Sequence, residues 1–349
     1  MHMSDALVSP AVGAAMWVAA AAFGSHAARQ VERHGGGEDE RRLPLMGVLG
    51  AFVFAAQMVN FTIPGTGSSG HLAGGLLLAV LVGPHAAFVV MASVLAVQAL
   101  FFADGGLLAL GCNVVNMGLF TSYLVYPLVW QPLAGDGRSR RRVFLASIAA
   151  GVLALQLGAL GVVLETMTSG VTTLPFRPFA LLMQSIHLAI GVVEGLVTAL
   201  IVLALRQARP ELVPARATGQ RVVATFAVAA ALTGGALSWF ASTRPDGLEW
   251  ATARAAGEGA PAPASGAHAL LASFQERLAL LPEYDFRRPH GARSLDADAP
   301  RWGSPRAGSS LAGLVGAALS VGFVMSIGAA ARALRRRAAG EPATRRAGR

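Results

Sequence analysis

Long apolar runs separated by short polar or arginine-rich segments dominate this chain. About 20 apolar residues in helical form cross the roughly 30 Å hydrocarbon core of a bilayer. Nine runs approach that length, near residues 7–28, 45–63, 71–83, 85–103, 106–130, 143–166, 179–205, 221–242 and 310–332. The pattern predicts an all-α polytopic membrane protein of about nine transmembrane helices, because a spanning helix satisfies its backbone polar groups internally. The third run is too short to cross unaided and is expected to be tilted or re-entrant, lining a cavity. Residues 243–309, rich in Ala, Pro, Gly and Arg, read as a polar loop between the last two helices. Within it Phe274, Leu278, Leu280, Leu281 and Tyr284 suit a short amphipathic helix docked on the membrane domain, with charged disorder as the alternative.

Composition sharpens the class. Of 349 residues, 54% are hydrophobic and 13% charged, and the net charge is +9. In a soluble protein that charge would point to nucleic acid, but every base here is an arginine and most lie between apolar runs, the positive-inside signature. The basic segments are Arg29 to Arg42, Arg138 to Arg142, Arg206 to Arg221 and Arg332 to Arg349, whereas the turns at 64–70, 103–106 and 167–178 carry only Arg177. This places the protein in the cytoplasmic membrane with an extracytoplasmic N-terminus and a cytoplasmic C-terminus. The chain has no lysine, hence no phosphate-binding G-x-x-x-x-G-K-[ST] loop, and ATP hydrolysis has to come from other chains. Cys112 is alone, which rules out a disulfide or thiolate cluster within the chain.

The most informative chemistry lies at the start. The Met1 amine, the His2 amide nitrogen and the His2 imidazole close a five- and a six-membered chelate ring around a metal and fill three corners of a square. His71 is the leading candidate for the fourth, since it follows a glycine-rich turn (Pro64, Gly65, Gly67, Gly70) where an apolar run begins. Four nitrogens in a plane suit Ni(II), Cu(II) or low-spin Co(II) rather than tetrahedral zinc. The first run carries Asp5 and lacks a basic leader, so it is not expected to be a cleaved signal peptide. The bulk of His2 is expected to protect Met1 from trimming.

Three stretches carry a family likeness: Met1-His2-Met3, the run from Phe61 through His71 to Gly75, and the run from Gln98 through Asp104, Asn113 and Asn116 to Gly118. Together they resemble the CbiM/NikM family, the metal-binding S components of energy-coupling-factor transporters for cobalt and nickel. The segment Pro245-Asp246-Gly247-Leu248-Glu249, with a final helix beginning at Ser310, resembles the companion N-type subunit fused at the C-terminus. The likeness implies a metal-binding seven-helix domain over 1–220 and an N-type module over 221–349, with helix, extracytoplasmic loop 243–309, helix 310–332 and basic tail. It implies Met1, His2 and His71 as metal ligands, and uptake of Ni(2+) or Co(2+) as substrate, with no permanent cofactor and no enzymatic activity. The partners implied are a transmembrane coupling subunit and ATPases on other chains, with lipid around the protein and no nucleic acid. Met3 departs from the apolar Ile frequent in the family, which leaves the donor atoms unchanged.

Other polar residues are read against simpler roles. Asn113 and Asn116, three apart on one face, either support His71 or the N-terminal loop or join helices by hydrogen bonds. For Asp104, in a Gly-rich turn, helix capping is favoured over attraction of cations. His187 and Glu194, seven apart on one helix, read as a structural pair. His26, His34, His85, His268 and His290 show no ligand spacing. A self-sufficient secondary metal transporter would need ionisable groups at mid-membrane, where only His187 and Glu194 qualify. An intramembrane metalloenzyme lacks any H-E-x-x-H cluster.

Overall fold

A computed structural model of the chain describes residues 2–35, 39–208, 220–256, 266–287, 303 and 305–338. Met1 lies outside the described residues. The order is α1 (Pro10–Gly35), α2 (Asp39–Gln57), a two-stranded hairpin β1 (Phe61–Thr62) and β2 (Ser69–Gly70), then α3 (Gly75–Val82) and α4 (Pro84–Phe102). Next come α5 (Leu110–Ala134), α6 (Arg140–Ser169), α7 (Phe176–Ala208), α8 (Gln220–Gly235), α9 (Gly247–Ala256), α10 (Ala267–Leu278) and α11 (Ala307–Ala338).

Every apolar run is largely helical, and α1, α4, α5, α6, α7 and α11 are long and apolar enough to cross a membrane. The protein is an all-α polytopic membrane protein. Two predicted runs are shorter than expected: the second stops at Gln57, and the third spans only Gly75–Val82. Between them the chain folds back as an antiparallel hairpin, Phe61 opposite Gly70 and Thr62 opposite Ser69. Gly65 and Gly67 within that loop take φ of 77° and 84°, a region open to glycine at little cost. The backbone widens to π geometry over Gln98–Phe102 and Val115–Trp130, a deformation found frequently at functional sites.

The interior is filled by apolar side chains, among them Phe54, Phe88, Phe102, Phe179, Leu76 and Met91, each at most 0% exposed. Outward faces are apolar too: Val18, Leu128, Leu181 and Leu200 are exposed. An outer surface of this kind fits hydrocarbon rather than water.

Helices α6 and α7 touch backbone to backbone. A Cβ at Gly195 would stand 2.5 Å from the Ile148 Cα, and one at Gly191 2.7 Å from the Val152 Cα. Small residues permit this approach, and dispersion and interhelical contacts then replace the hydrophobic drive that lipid does not provide. Gly195→Ala is accordingly expected to destabilise the protein by about 1–3 kcal/mol through overpacking. Gly322→Ala, with nothing within 4 Å of the added carbon, is expected to be neutral or stabilising. Thermal unfolding of the detergent-purified variants measures the difference.

Candidate metal centre

The site is assembled around the N-terminal segment, which threads into the end of the bundle. Backbone groups inserted among apolar helices need partners, since an unsatisfied buried one costs about 1–3 kcal/mol. Asn113 on α5 supplies two: the Met3 amide donates to its Oδ1 at 2.7 Å, and its Nδ2 donates to the Met3 carbonyl at 3.3 Å. The side-chain amide thereby stands in for a neighbouring strand. The Gly106 amide also donates to the Met3 carbonyl, at 2.8 Å, and Asp5 Oδ1 accepts from the Ala109 amide at 3.0 Å. Asn116 lies one turn further on; its Nδ2 donates to Glu165 Oε2 at 2.7 Å and lies 4.0 Å from the Met3 sulfur.

These ties bring His2 against His71. The two rings stack with centroids 5.1 Å apart and planes 11° from parallel. His71 Nδ1 is 3.0 Å from the Leu72 carbonyl; a carbonyl only accepts, so this nitrogen carries the proton and Nε2 keeps its lone pair. The chain around His71 is fixed on both sides. Glu194 on α7 accepts from the Ala73 and Gly74 amides at 2.9 Å each, and Gln57 Nε2 donates to the Ala73 carbonyl at 2.7 Å. Gln98 Nε2 in turn donates to Gln57 Oε1 at 2.7 Å.

His2 Nδ1 lies 3.3 Å from Asp104 Oδ1, while its Nε2 is buried with no hydrogen-bond partner. The turn that aims Asp104 inward passes through Ala103 at φ 54°, a left-handed conformation costing a non-glycine residue roughly 1–2 kcal/mol. Tyr284 donates its hydroxyl to the other oxygen of Asp104. Burial lowers the His2 imidazole to about 3, so the ring is neutral at physiological pH. Burial pushes the Asp104 carboxyl up, partly offset by the Tyr284 hydroxyl.

The C-terminal segment closes the site from two directions. The Ser69 amide donates to the Pro245 carbonyl at 2.8 Å, and the Ser69 hydroxyl donates to the Arg244 carbonyl at 2.8 Å. This seats Asp246 beside the histidines; its Oδ1 also accepts from the Glu249 amide at 2.7 Å at the start of α9. On the other side α10 lies across the N-terminal segment. His268 Nε2 donates to the Val8 carbonyl at 2.8 Å, and Gln275 Nε2 donates to the carbonyls of Ala99 and Gly105 at 2.9 and 2.7 Å. The expected amphipathic helix is therefore docked, over Ala267–Leu278, a few residues upstream of the apolar patch that suggested it.

Several sequence readings change. Asp104 caps no helix; it holds the His2 ring and the Tyr284 hydroxyl. His187 and Glu194 do not pair: Glu194 binds backbone amides beside His71, and His187 Nδ1 is 2.7 Å from the Met183 carbonyl. Of the two partners expected for Asn113, His71 and the N-terminal segment, the second is found. Gln57, Gln98, Glu165 and Tyr284 were missed. Gln57, Gln98 and Glu165 stood in plain sight as polar residues inside apolar runs, where polarity is costly and informative; Tyr284 carried no such signal. Among the described residues, no group of three or more His, Cys, Asp or Glu side chains is placed to hold a metal ion.

Histidines, carboxylates and amides gathered in one membrane bundle make an arrangement suited to holding a cation. Comparison with known proteins gives the family. Residues 2–212 match the family described as "Cobalt uptake substrate-specific transmembrane region", and residues 220–333 match the PDGLE domain. The chain belongs to this cobalt-uptake family, with a PDGLE region following. It is 34% identical over 215 residues to a protein of Haloquadratum walsbyi named for metal transport, covering 61% of this chain and 93% of that one. It is 36% identical over 236 residues to the fused nickel transport protein NikMN of Rhodobacter capsulatus, covering 62% of this chain and 65% of that one. The cobalt transport protein CbiM of Geobacter sulfurreducens is 34% identical over 221 residues, with 61% of each chain covered. A crystal structure of a truncated transition metal transporter superposes with a TM-score of 0.51 at 29% identity, over 60% of this chain and 99% of that chain. These relatives are named as transporters, not enzymes.

Asn113→Leu keeps the volume but removes both hydrogen bonds to Met3. Hydrogen exchange over residues 2–8 is expected to accelerate about tenfold or more, the equivalent of one lost buried pairing. Exchange in α6 is expected to stay unchanged. Mass spectrometry of the exchanged peptides reads both.

Proposed function

We propose that this protein captures divalent nickel or cobalt for uptake across the cytoplasmic membrane, as the S component of an energy-coupling-factor transporter. The ion is the transported substrate, held by the Met1 amine, the His2 amide and imidazole nitrogens and the His71 imidazole. The observation that carries this reading is the parallel stacking of His2 and His71 at 5.1 Å, with the backbone beside them clamped by Asn113. His71 offers the lone pair of Nε2, and at His2 the proton that faces Asp104 on Nδ1 shifts to Nε2 when Nδ1 takes the ion. On chelation through Nδ1 the ion takes the place of the Asp104 contact with His2.

A coupling subunit and ATPases on other chains supply the energy. The N-terminus faces outside and the C-terminus inside. The segment 242–287 assists loading, a role supported by its bonds to the hairpin before His71 and by the Tyr284 hydroxyl on Asp104. A secondary transporter finds no support, since Glu194 is occupied by the backbone next to His71.

Two outcomes test the reading. His2→Ala, His71→Ala and an N-terminal extension by one residue are each expected to weaken nickel binding at least about 100-fold, as loss of a ligand requires. Equilibrium dialysis with metal analysis measures this; tight binding by the extended chain would overturn the chelate. The second outcome concerns pH. With the His2 ring neutral down to about 3, the protons released on binding at pH 5–7 come from the amine, ordinarily near 7.7, and the amide. Affinity is expected to fall with pH with a slope of about two decades per unit below pH ~7, easing to about one above pH ~8. A slope of three or more near pH 5.5, read by competition titration, would show that a ligand imidazole, His2 or His71, is solvated and protonated there.

A further inference from the structure

Beside His71 a small cavity opens between α7 and the Pro245–Glu249 segment, lined by His71, Met117, His187, Ile190, Asp246 and Gly247. Its free volume is about 10 Å³, room for one water-sized particle. His187 is 1% exposed on α7, and its Nδ1 is bound to the Met183 carbonyl at 2.7 Å. The carbonyl accepts only, so Nδ1 carries the proton and the lone pair belongs to Nε2. That nitrogen is buried and has no hydrogen-bond partner. A backbone carbonyl on one ring nitrogen with the other left open is the way proteins orient a metal-binding imidazole.

The neighbour facing this ring belongs to the C-terminal segment. A Cβ at Gly247 would stand 3.4 Å from His187 Cε1, the carbon adjoining Nε2, and 2.6 Å from Ile186 Cγ2. Glycine at 247 is what lets the segment lie this close. Asp246, the next residue, lines the same cavity, with one carboxylate oxygen accepting from the Glu249 amide and so fixed in orientation. A buried imidazole lone pair, an oriented carboxylate and a cavity sized for one small particle, all contiguous with His71, have no counterpart in the four-nitrogen chelate.

We propose that His187 Nε2 and the Asp246 carboxylate form a second, weaker position for a divalent transition metal, through which the ion passes on its way to His71. The inference rests on the metal-capture reading given above. With one imidazole and one carboxylate as ligands and room for a single small particle beside them, the ion sheds most of its water on entering and is held only loosely. Its coordination is then completed by the four nitrogens. Borderline cations that accept both nitrogen and oxygen donors, Ni(II) and Co(II) among them, suit the position. The C-terminal module thus contributes a ligand to the path as well as a cover over the site.

Stopped-flow loading of the purified full chain with Ni2+ alone tests this, alongside equilibrium dialysis. His187→Ala and Asp246→Asn are each expected to slow association roughly tenfold or more, the range by which a charged capture position raises on-rates. Their equilibrium affinity is expected to stay within about threefold of the parent, since the association rate and Kd vary separately. His71→Ala is expected to retain weak binding that disappears in the His71→Ala/His187→Ala double variant. Asp246→Asn preserves the cap on Glu249 and serves where His187→Ala fails to fold. Association at the parent rate in both single variants, or affinity lost wholly through faster dissociation, overturns the second position. Absence of any Ni2+ binding by the parent chain instead overturns the capture reading itself.

Discussion

Backbone buried among apolar helices has no water to turn to, and the N-terminal segment of this protein lies in such a place. Its placement depends on the Asn113 amide, which pairs with both the N–H and the C=O of Met3 as a strand would. Without that pairing the buried Met3 N–H has no partner, and the hold on the His2 ring over His71 weakens. Asn113 stands in the α-helical first turns of α5, just before the backbone widens into π geometry at Val115.

A second consequence follows from the shortness of α3. At Gly75–Val82 it leaves the chain before it, including His71, in a non-helical path at membrane depth, tolerated only where protein satisfies the backbone. Glu194 and Gln57 do this for Ala73 and Gly74, and Ser69 ties the hairpin to Pro245. Polar residues that looked dispersed along the sequence converge on this one unwound stretch. The C-terminal segment takes part in the same accounting, since its carbonyls at 244 and 245 accept from Ser69.

Much of this was legible beforehand. Apolar run lengths placed the helices, and the glycines at 65, 67 and 70 marked the turn before His71. His2 was singled out by its chelate chemistry and His71 by its place after that turn, with the family resemblance naming both, and the two rings lie in contact. What escaped the sequence were partnerships across long separations. Periodicity says which residues share a face, and so it paired His187 with Glu194, but it does not say which element arrives opposite that face. There the unwound backbone leading into α3 took Glu194, and the Asp246–Gly247 segment came up against His187. Asp104 looked like a cap for the same reason: its partners, His2 and Tyr284, are about 100 and 180 residues away in the chain.

The central claim is that a free N-terminus and two stacked imidazoles surround one dehydrated ion with four nitrogens in a plane. The electronic state of bound nickel reports on this directly, because a d8 ion in a square of strong nitrogen donors pairs its spins. Nickel-loaded protein is expected to be diamagnetic by magnetic susceptibility, with X-ray absorption showing four short nitrogen neighbours and no water. A paramagnetic ion with six oxygen and nitrogen neighbours would contradict the account.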